Sequence, residues 1–297
     1  MLAAFYWVLN MSIVASVVGG VILLLRTIAP LPRRFLYPLW AVVLLRLCVP
    51  FGIAGQFSIL RLLPYRSIPV YSGSFALTGA NYVQAADDYF PLTFQSPVIE
   101  HILSIASMVW LTVCVALLAI TAASYIAAIR ESRHVVHLHD NIYLSDQVSG
   151  PVVYGIFRSR ILLPEGVDAQ EMELILLHER THIRRLDNLW RLLALIAACI
   201  HWFNPLVWIF LRCFHTDAER SCDEAVLRRL PSQRHSDYAH ALLNSAARST
   251  ALTSPFGYGT THRIRAILSY RSMGAAATIF LTLCTVCIAA VLLTNAQ

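Results

Sequence analysis

Long apolar runs separated by short charged links dominate this chain, and four of them reach the roughly 20 residues that a helix needs to cross a bilayer core. They cover about 2–25, 35–54, 98–128 and 274–294. Arg26 closes the first, Arg46 sits near the middle of the second, and Arg130 ends the third. A fifth run, 189–214, is nearly as apolar but is interrupted by Arg191, His201, Asn204 and Pro205. That pattern fits a span, a re-entrant hairpin or a core helix. Between the third and fourth runs the period changes. Residues 134–164 alternate apolar and polar positions in short stretches, with a turn signal at Asp140-Asn141, and read as strands. From Asp168 the apolar positions Met172, Ile175, Leu176 and Ile183 recur at helical spacing, and Asp168 with Glu171 resembles a capping box. Further helical patterns cover about 206–230, 234–249 and 261–271.

The pattern predicts an α-helical polytopic membrane protein with four main transmembrane helices and an inserted α+β domain. A membrane region, 1–128, holds three helices and a polar loop at 55–97. A folded domain, 129–273, includes the membrane-associated candidate 189–214. The last helix lies within 274–297.

Composition agrees. Residues are 57% hydrophobic and 13% charged, and the mean hydropathy is +0.61, whereas soluble domains carry about a quarter charged residues. The first run has no basic leader before it and is too long for a cleaved signal peptide. Seven cysteines at irregular spacing form no disulfide framework, and the Cys284/Cys287 pair sits inside the last apolar run. All basic residues are arginine, and their bias gives an orientation. The 26–34 link has three arginines and no acid, so it faces the cytoplasm; the N-terminus and the 55–97 loop face outward. The 129–273 domain is then cytoplasmic. Its 17 arginines are interspersed with 14 acids, so it carries no basic footprint for direct nucleic-acid binding. Arg46 within a span either reaches a structural partner or couples the spans to the domain.

His178-Glu179-Arg180-Thr181-His182 is an HExxH sequence. On a helix the two imidazoles lie on one face about 5–6 Å apart at Cβ and can converge on one Zn2+ at roughly 2.0–2.1 Å. Glu179 can then reach the water at the open coordination position and act as general base. A third ligand is required. Glu219 is the leading candidate, with Asp217 and Glu224 as rivals on geometry alone. Asp223, one helical turn after Glu219, can accept a hydrogen bond from a ligating histidine and orient it. His134, His137 and His139 fit a half-exposed strand face, and His201, His215, His235, His240 and His262 read as structural.

Three blocks in order, His178 to Trp190, His201-Trp-Phe-Asn-Pro-Leu-Val-Trp208, and Asp217-x-Glu-x-x-Cys-Asp223, resemble the M56 membrane peptidases, which include the BlaR/MecR β-lactam sensor-transducers. Gly155 and Ile161-Leu-Leu-Pro-Glu-Gly166 match the same pattern upstream, and the resemblance covers nearly the whole chain. It implies a gluzincin-like zinc metalloprotease, with one zinc held by His178, His182 and Glu219. The site would face the cytoplasm of a bacterial plasma membrane. Its implied substrate is a cytoplasmic protein such as a transcriptional repressor, or the chain itself near Ser254, Pro255 and Phe256, although Pro255 departs from the expected pattern. A homodimer is left open. The β-lactam sensors continue past their last span into an extracellular penicillin-binding domain. Here the sequence stops at Gln297, and residues 56–97 contain no SxxK, so β-lactam acylation is not expected of these residues. Two other function classes remain: a non-catalytic transducer with structural zinc, and an M48-like housekeeping membrane protease.

Overall fold

The computed structural model describes residues 2–28, 31–55, 58, 66–72, 75–81, 97–131, 135–146, 148–156, 158–248 and 260–296. Helix α1 (Leu2–Ile28) is followed by a four-residue α2 (Arg33–Leu36), α3 (Leu39–Cys48) and strand β1 (Phe51–Gly55). The expected single span over 35–54 is therefore corrected to a broken pair of helices that ends at Cys48. Pro38 supplies no N–H to continue the ladder, so the backbone passes from α2 to α3 through i→i+3 bonds, Trp40 N to Tyr37 O and Ala41 N to Pro38 O. Among the described residues, three helices are long and apolar enough to cross a membrane: Ala4–Ile28, Ile102–Arg130 and Ala275–Leu293. The last two belong to α4 (Pro97–Glu131) and α10 (Ala275–Leu293). Ile105, Met108, Val115 and Ile120 of α4 and Ile279, Phe280, Leu283 and Val286 of α10 point outward. An apolar surface of that size is stable against lipid rather than water.

Within the expected loop 55–97 the described residues include a hairpin, β2 (Arg66–Ser72) and β3 (Phe75–Asn81). It joins β1 and the short β8 (Thr294–Ala296) in a sheet of order β2-β3-β1-β8, with β1 and β8 parallel. Arg46 donates from Nε and Nη2 to Leu292 O and from Nη2 to Thr294 O. It satisfies carbonyls at the end of α10 that the helix itself cannot. Its role here is a structural partner between α3 and α10.

The fifth apolar run is a helical hairpin, α6 (Asp187–Ile200) and α7 (Pro205–Leu227). Asn204 builds its turn: Oδ1 accepts from Leu206 N as the α7 cap, and Nδ2 donates to Ser12 and Ser16 Oγ of α1. The turn thus lies beside the middle of α1. Phe210 seats its ring on Gly19, where a Cβ would stand 2.3 Å from a ring carbon. Ala15, Val18, Ile22, Trp40, Val43, Ala198, Val207 and Phe210 form the shared core of α1, α3 and the hairpin.

The α+β unit follows the sequence expectation closely. Strands β4 (Val136–His139), β5 (Ile142–Ser145), β6 (Val152–Tyr154) and β7 (Arg160–Pro164) form a sheet of order β4-β5-β7-β6. Ile142, Ile161 and Leu163 pack against Ile175 of α5 (Ala169–Arg184). On the far side of α5, Leu174 meets Val226 and Leu227 of α7, Tyr238 of α8 (His235–Arg248) and Ile267 of α9 (Thr260–Leu268). Asp168 caps α5 by accepting from Gln170 N, but the reciprocal half of the capping box is absent: Glu171 pairs instead with Arg248.

Candidate metal centre

Helix α5 carries His178 and His182 one turn apart on its buried face, at 4% and 5% exposure. Their Nε2 atoms stand 3.1 Å apart. Glu219, on α7, places Oε2 3.5 Å from His178 Nε2 and Oε1 3.5 Å from His182 Nε2. Ligand atoms at the corners of a tetrahedron around a zinc at about 2.0–2.1 Å are separated by about 3.3 Å, so the three groups fit that ion. Each Nε2 is also free to present a lone pair, because each Nδ1 is engaged elsewhere. Tyr238 donates its hydroxyl to Asp223 Oδ1 at 2.8 Å and accepts from His178 Nδ1 at 2.8 Å. His182 Nδ1 donates to Asp187 Oδ2 at 2.6 Å.

Chain direction creates the second contact. Leu186, between α5 and α6, adopts φ 55° and ψ 36°, a left-handed conformation costing a non-glycine residue roughly 1–2 kcal/mol. That turn folds Asp187, fully buried, back onto His182. Asn188 then donates to Val153 O and Gly155 O, fastening edge strand β6 beside the site.

Cys222, also on α7, is a further candidate. It is fully buried, and it groups with His178 and His182 so that one ligand atom from each lies within 4.8 Å of the others. Its thiol donates to His178 O at 3.5 Å. His178, His182 and Cys222 are thus a group able to hold a metal ion, with Glu219 on its more open side.

The charges suit a cation. Burial opposes a charged imidazole, but Cys222, Glu219 and Asp223 outweigh it at His178, whose pKa is held well above the usual range. At His182 burial is likewise outweighed, by Glu219, Cys222 and Asp187, and the pKa is raised to about 9. Burial would raise the Glu219 carboxyl, yet Arg263, the imidazoles and Arg191 hold it well below its ordinary value. Burial would also raise the Cys222 thiol, but the two imidazoles lower it. Without metal the anionic groups therefore gather protons on the histidines, which a divalent cation can replace.

Arg191 Nη2 lies 2.5 Å from Glu219 Oε1, and Arg263 Nη1 lies 3.1 Å from Oε2. Arg263 also grips Asp223 through Nε and Nη2, both at 2.8 Å. Asp223 thus reaches His178 mainly through the Tyr238 hydroxyl; its direct separation from Nδ1 is 3.5 Å. Glu179 is half-buried and makes no hydrogen bond or ion pair among the described residues.

The rival carboxylates face elsewhere. Asp217 is fully buried against Arg26, Arg33 and the indole N–H of Trp40, and Glu224 accepts from the backbone N–H groups of Arg33 and Arg34. His137 contacts Asp140 O and the Tyr143 ring on exposed β4. Ser254, Pro255 and Phe256 lie outside the described residues. Sequence reasoning missed Tyr238, Tyr37, Arg191 and the site role of Arg263. Asp187 and Cys222 stood inside the quoted blocks without an assigned contact.

The family described as BlaR1 peptidase M56 matches residues 6–272. The regulatory protein BlaR1 of Bacillus licheniformis is 34% identical over 113 residues, 36% of this chain and 19% of that protein. The methicillin resistance mecR1 proteins of Staphylococcus aureus and Staphylococcus epidermidis are each 33% identical over 109 residues, 35% of this chain. Each of these alignments spans 19% of the relative's length.

Proposed function

The chain belongs to the M56 peptidase family, and on that premise we propose that it is a membrane-embedded, zinc-dependent endopeptidase of gluzincin type. It acts on the cytoplasmic side in transmembrane signalling, cutting itself, a transcriptional repressor or another regulatory protein. The observation that carries this reading is the convergence of His178 Nε2, His182 Nε2 and Glu219 within 3.1–3.5 Å while both Nδ1 atoms are engaged elsewhere.

His178, His182 and Glu219 hold the zinc, and Asp223 orients His178 through Tyr238. When bound, zinc supplies Lewis acidity to a water and to the scissile carbonyl. Glu179, whose side chain makes no hydrogen bond or ion pair among the described residues, accepts the proton of the attacking water and passes it to the departing amine. Asp187 and Asp223 keep a proton on each Nδ1, so each Nε2 stays available.

Two features support the cytoplasmic and membrane placement. Arg26, Arg33 and Arg34, the arginine-rich link, touch Asp217 and Glu224 on the helix that carries Glu219, so link and site share one side. The α6–α7 turn meets Ser12 and Ser16 halfway along α1, which supports a hairpin dipping into the bilayer beneath the site. The relatives' names concern regulation and methicillin resistance; regulation of antibiotic resistance is the role we propose here.

The test compares zinc content and cleavage in wild type, Glu179→Gln and Glu219→Ala. One zinc per chain, kept in Glu179→Gln and lost in Glu219→Ala, with fragments only from wild type, is the expected outcome. Absent zinc would sink the proposal. A second reading, a non-catalytic transducer, draws on Cys222: a thiolate added to the three groups gives four protein ligands, the pattern of structural zinc. Normal signalling by Glu179→Gln would favour it.

A further inference from the structure

His182 is steadied from the membrane side of the molecule. Its Nδ1 donates to Asp187 Oδ2, and the other oxygen of that buried carboxylate accepts from the hydroxyl of Tyr37 at 2.7 Å. Tyr37 lies between α2 and α3, 150 residues from Asp187 in sequence. Its ring stacks on Phe214 at 5.5 Å between centroids and lies under the Arg185 guanidinium at 4.4 Å. The same corner holds the other metal-bearing helix: Trp40 Nε1 donates to Asp217 Oδ2 at 3.0 Å, and Arg26 Nε lies 3.1 Å from Oδ1.

The corner is not packed solid. An apolar cavity of about 260 Å³ opens beside it, lined by Tyr37, Trp40, Leu44, Trp190, Phe210 and Phe214. The cavity is open on one side, so Tyr37 and Trp40 border it with one face and pack against the protein with the other.

We propose that Tyr37 is a positioning residue for the metal site, and that through it the corner between the first membrane helices sets how firmly His182 holds the metal. The inference rests on the zinc-site reading above. A carboxylate anchored at one oxygen presents the other to an imidazole in one orientation. Arg185 Nε also faces the anchored oxygen, but at 3.4 Å, so the Tyr37 hydroxyl at 2.7 Å is its short hydrogen bond. Without it Asp187 is held less tightly and the ring loses part of its fixed direction. A movement of α1 against α3 would reach the metal by this route without altering the HExxH helix itself.

The experiment uses the whole chain in phospholipid nanodiscs, with Co2+ and Zn2+ as probes. Tyr37→Phe keeps the ring against Phe214 and Arg185 and removes only the hydroxyl. The expected result is a metal affinity about 10-fold weaker or more, a shifted Co2+ absorption spectrum, and a metal-free protein that still unfolds cooperatively, with a modest fall in its thermal midpoint. Since Tyr37 acts through Asp187, Tyr37→Phe added to Asp187→Asn should weaken affinity no further than Asp187→Asn alone. Tyr37→3-fluorotyrosine, which keeps the donor and makes it more acidic, provides a second reading should Tyr37→Phe not fold; it should also move the Co2+ bands. Affinity within twofold of wild type with an unmoved spectrum, or full additivity in the cycle, would overturn the inference. If wild type binds no metal, the zinc-site reading falls with it. If wild type binds metal and Tyr37→Phe binds it equally, only the inference falls.

Discussion

The two histidines of the candidate site sit one turn apart on α5 and share one proposed task, yet they are braced from opposite sides. His178 leans on Tyr238 and Asp223, with Arg263 behind them, all from helices of the α+β unit. His182 leans on Asp187 and then on Tyr37, at the corner of the first membrane helices. The first brace is closed within the unit that also holds the sheet. The second depends on the membrane region keeping its shape. Under the proposed function, a site braced from both sides ties metal binding to the register of the two halves of the molecule.

The sharpest way to break this asymmetry is at Asp217, where the membrane side grips α7. Asp217→Asn leaves Arg26 and Arg33 facing a neutral amide in a buried setting. The expected loss is about 3–5 kcal/mol of stability, read by thermal unfolding in nanodiscs. A loss below about 1 kcal/mol would mean that the corner is not anchored there.

Next come the braces themselves. Asp187→Asn and Asp223→Asn should each weaken zinc affinity about 10–100-fold in a chelator competition. Only the Asp187 variant should then be indifferent to Tyr37→Phe. Equal sensitivity of both to Tyr37→Phe would erase the distinction between the two sides.

Protons test both braces together. In the metal-free protein the imidazole pKa values are raised, His182 to about 9 and His178 well above the usual range. The stability they contribute is fully present below about pH 6.5, the unperturbed histidine value. For His182 it is lost as the pH rises through about 9. Zinc affinity runs the other way, because binding must expel those protons. It should strengthen by up to about tenfold per pH unit for each proton released and level off for His182 above about pH 9. Calorimetry in buffers of different ionisation enthalpy counts the protons, and none released would contradict the charge pattern. The smallest effect is a control: Asp168→Ala removes the α5 cap and should cost about 1 kcal/mol in thermal unfolding, with zinc affinity unchanged.

The sequence made some of this legible and hid the rest for physical reasons. The strands between 136 and 164 and the helix after Asp168 announced themselves because each is a short element whose own period is visible. The shared face of His178 and His182 was readable for the same reason, since helical spacing alone puts the two imidazoles side by side. The braces were not. Tyr238 is 60 residues from His178 and Tyr37 is 150 from Asp187, and no local pattern encodes such contacts. The break in the second apolar run was hidden because hydropathy registers no hydrogen bonds: Pro38 interrupts the ladder inside a stretch whose one charge is Arg46. Cys222 stands in the Asp217–Asp223 block, 40 positions beyond His182, and only folding brings its sulfur to the imidazoles.

The parallel pairing of β1 with β8 has a mechanical meaning. Strand β1 leaves the end of α3, β8 leaves the end of α10, and their ladder runs from Ile53 beside Thr294 to Gly55 beside Ala296. Tension drawn along β8 loads those bonds in shear, all at once, rather than peeling them one by one. Arg46 carries the same load from Leu292 and Thr294 into α3, the helix that begins two residues after Tyr37. A load on β8 is thus shared between α10, its own helix, and α3, which it reaches through β1 and Arg46.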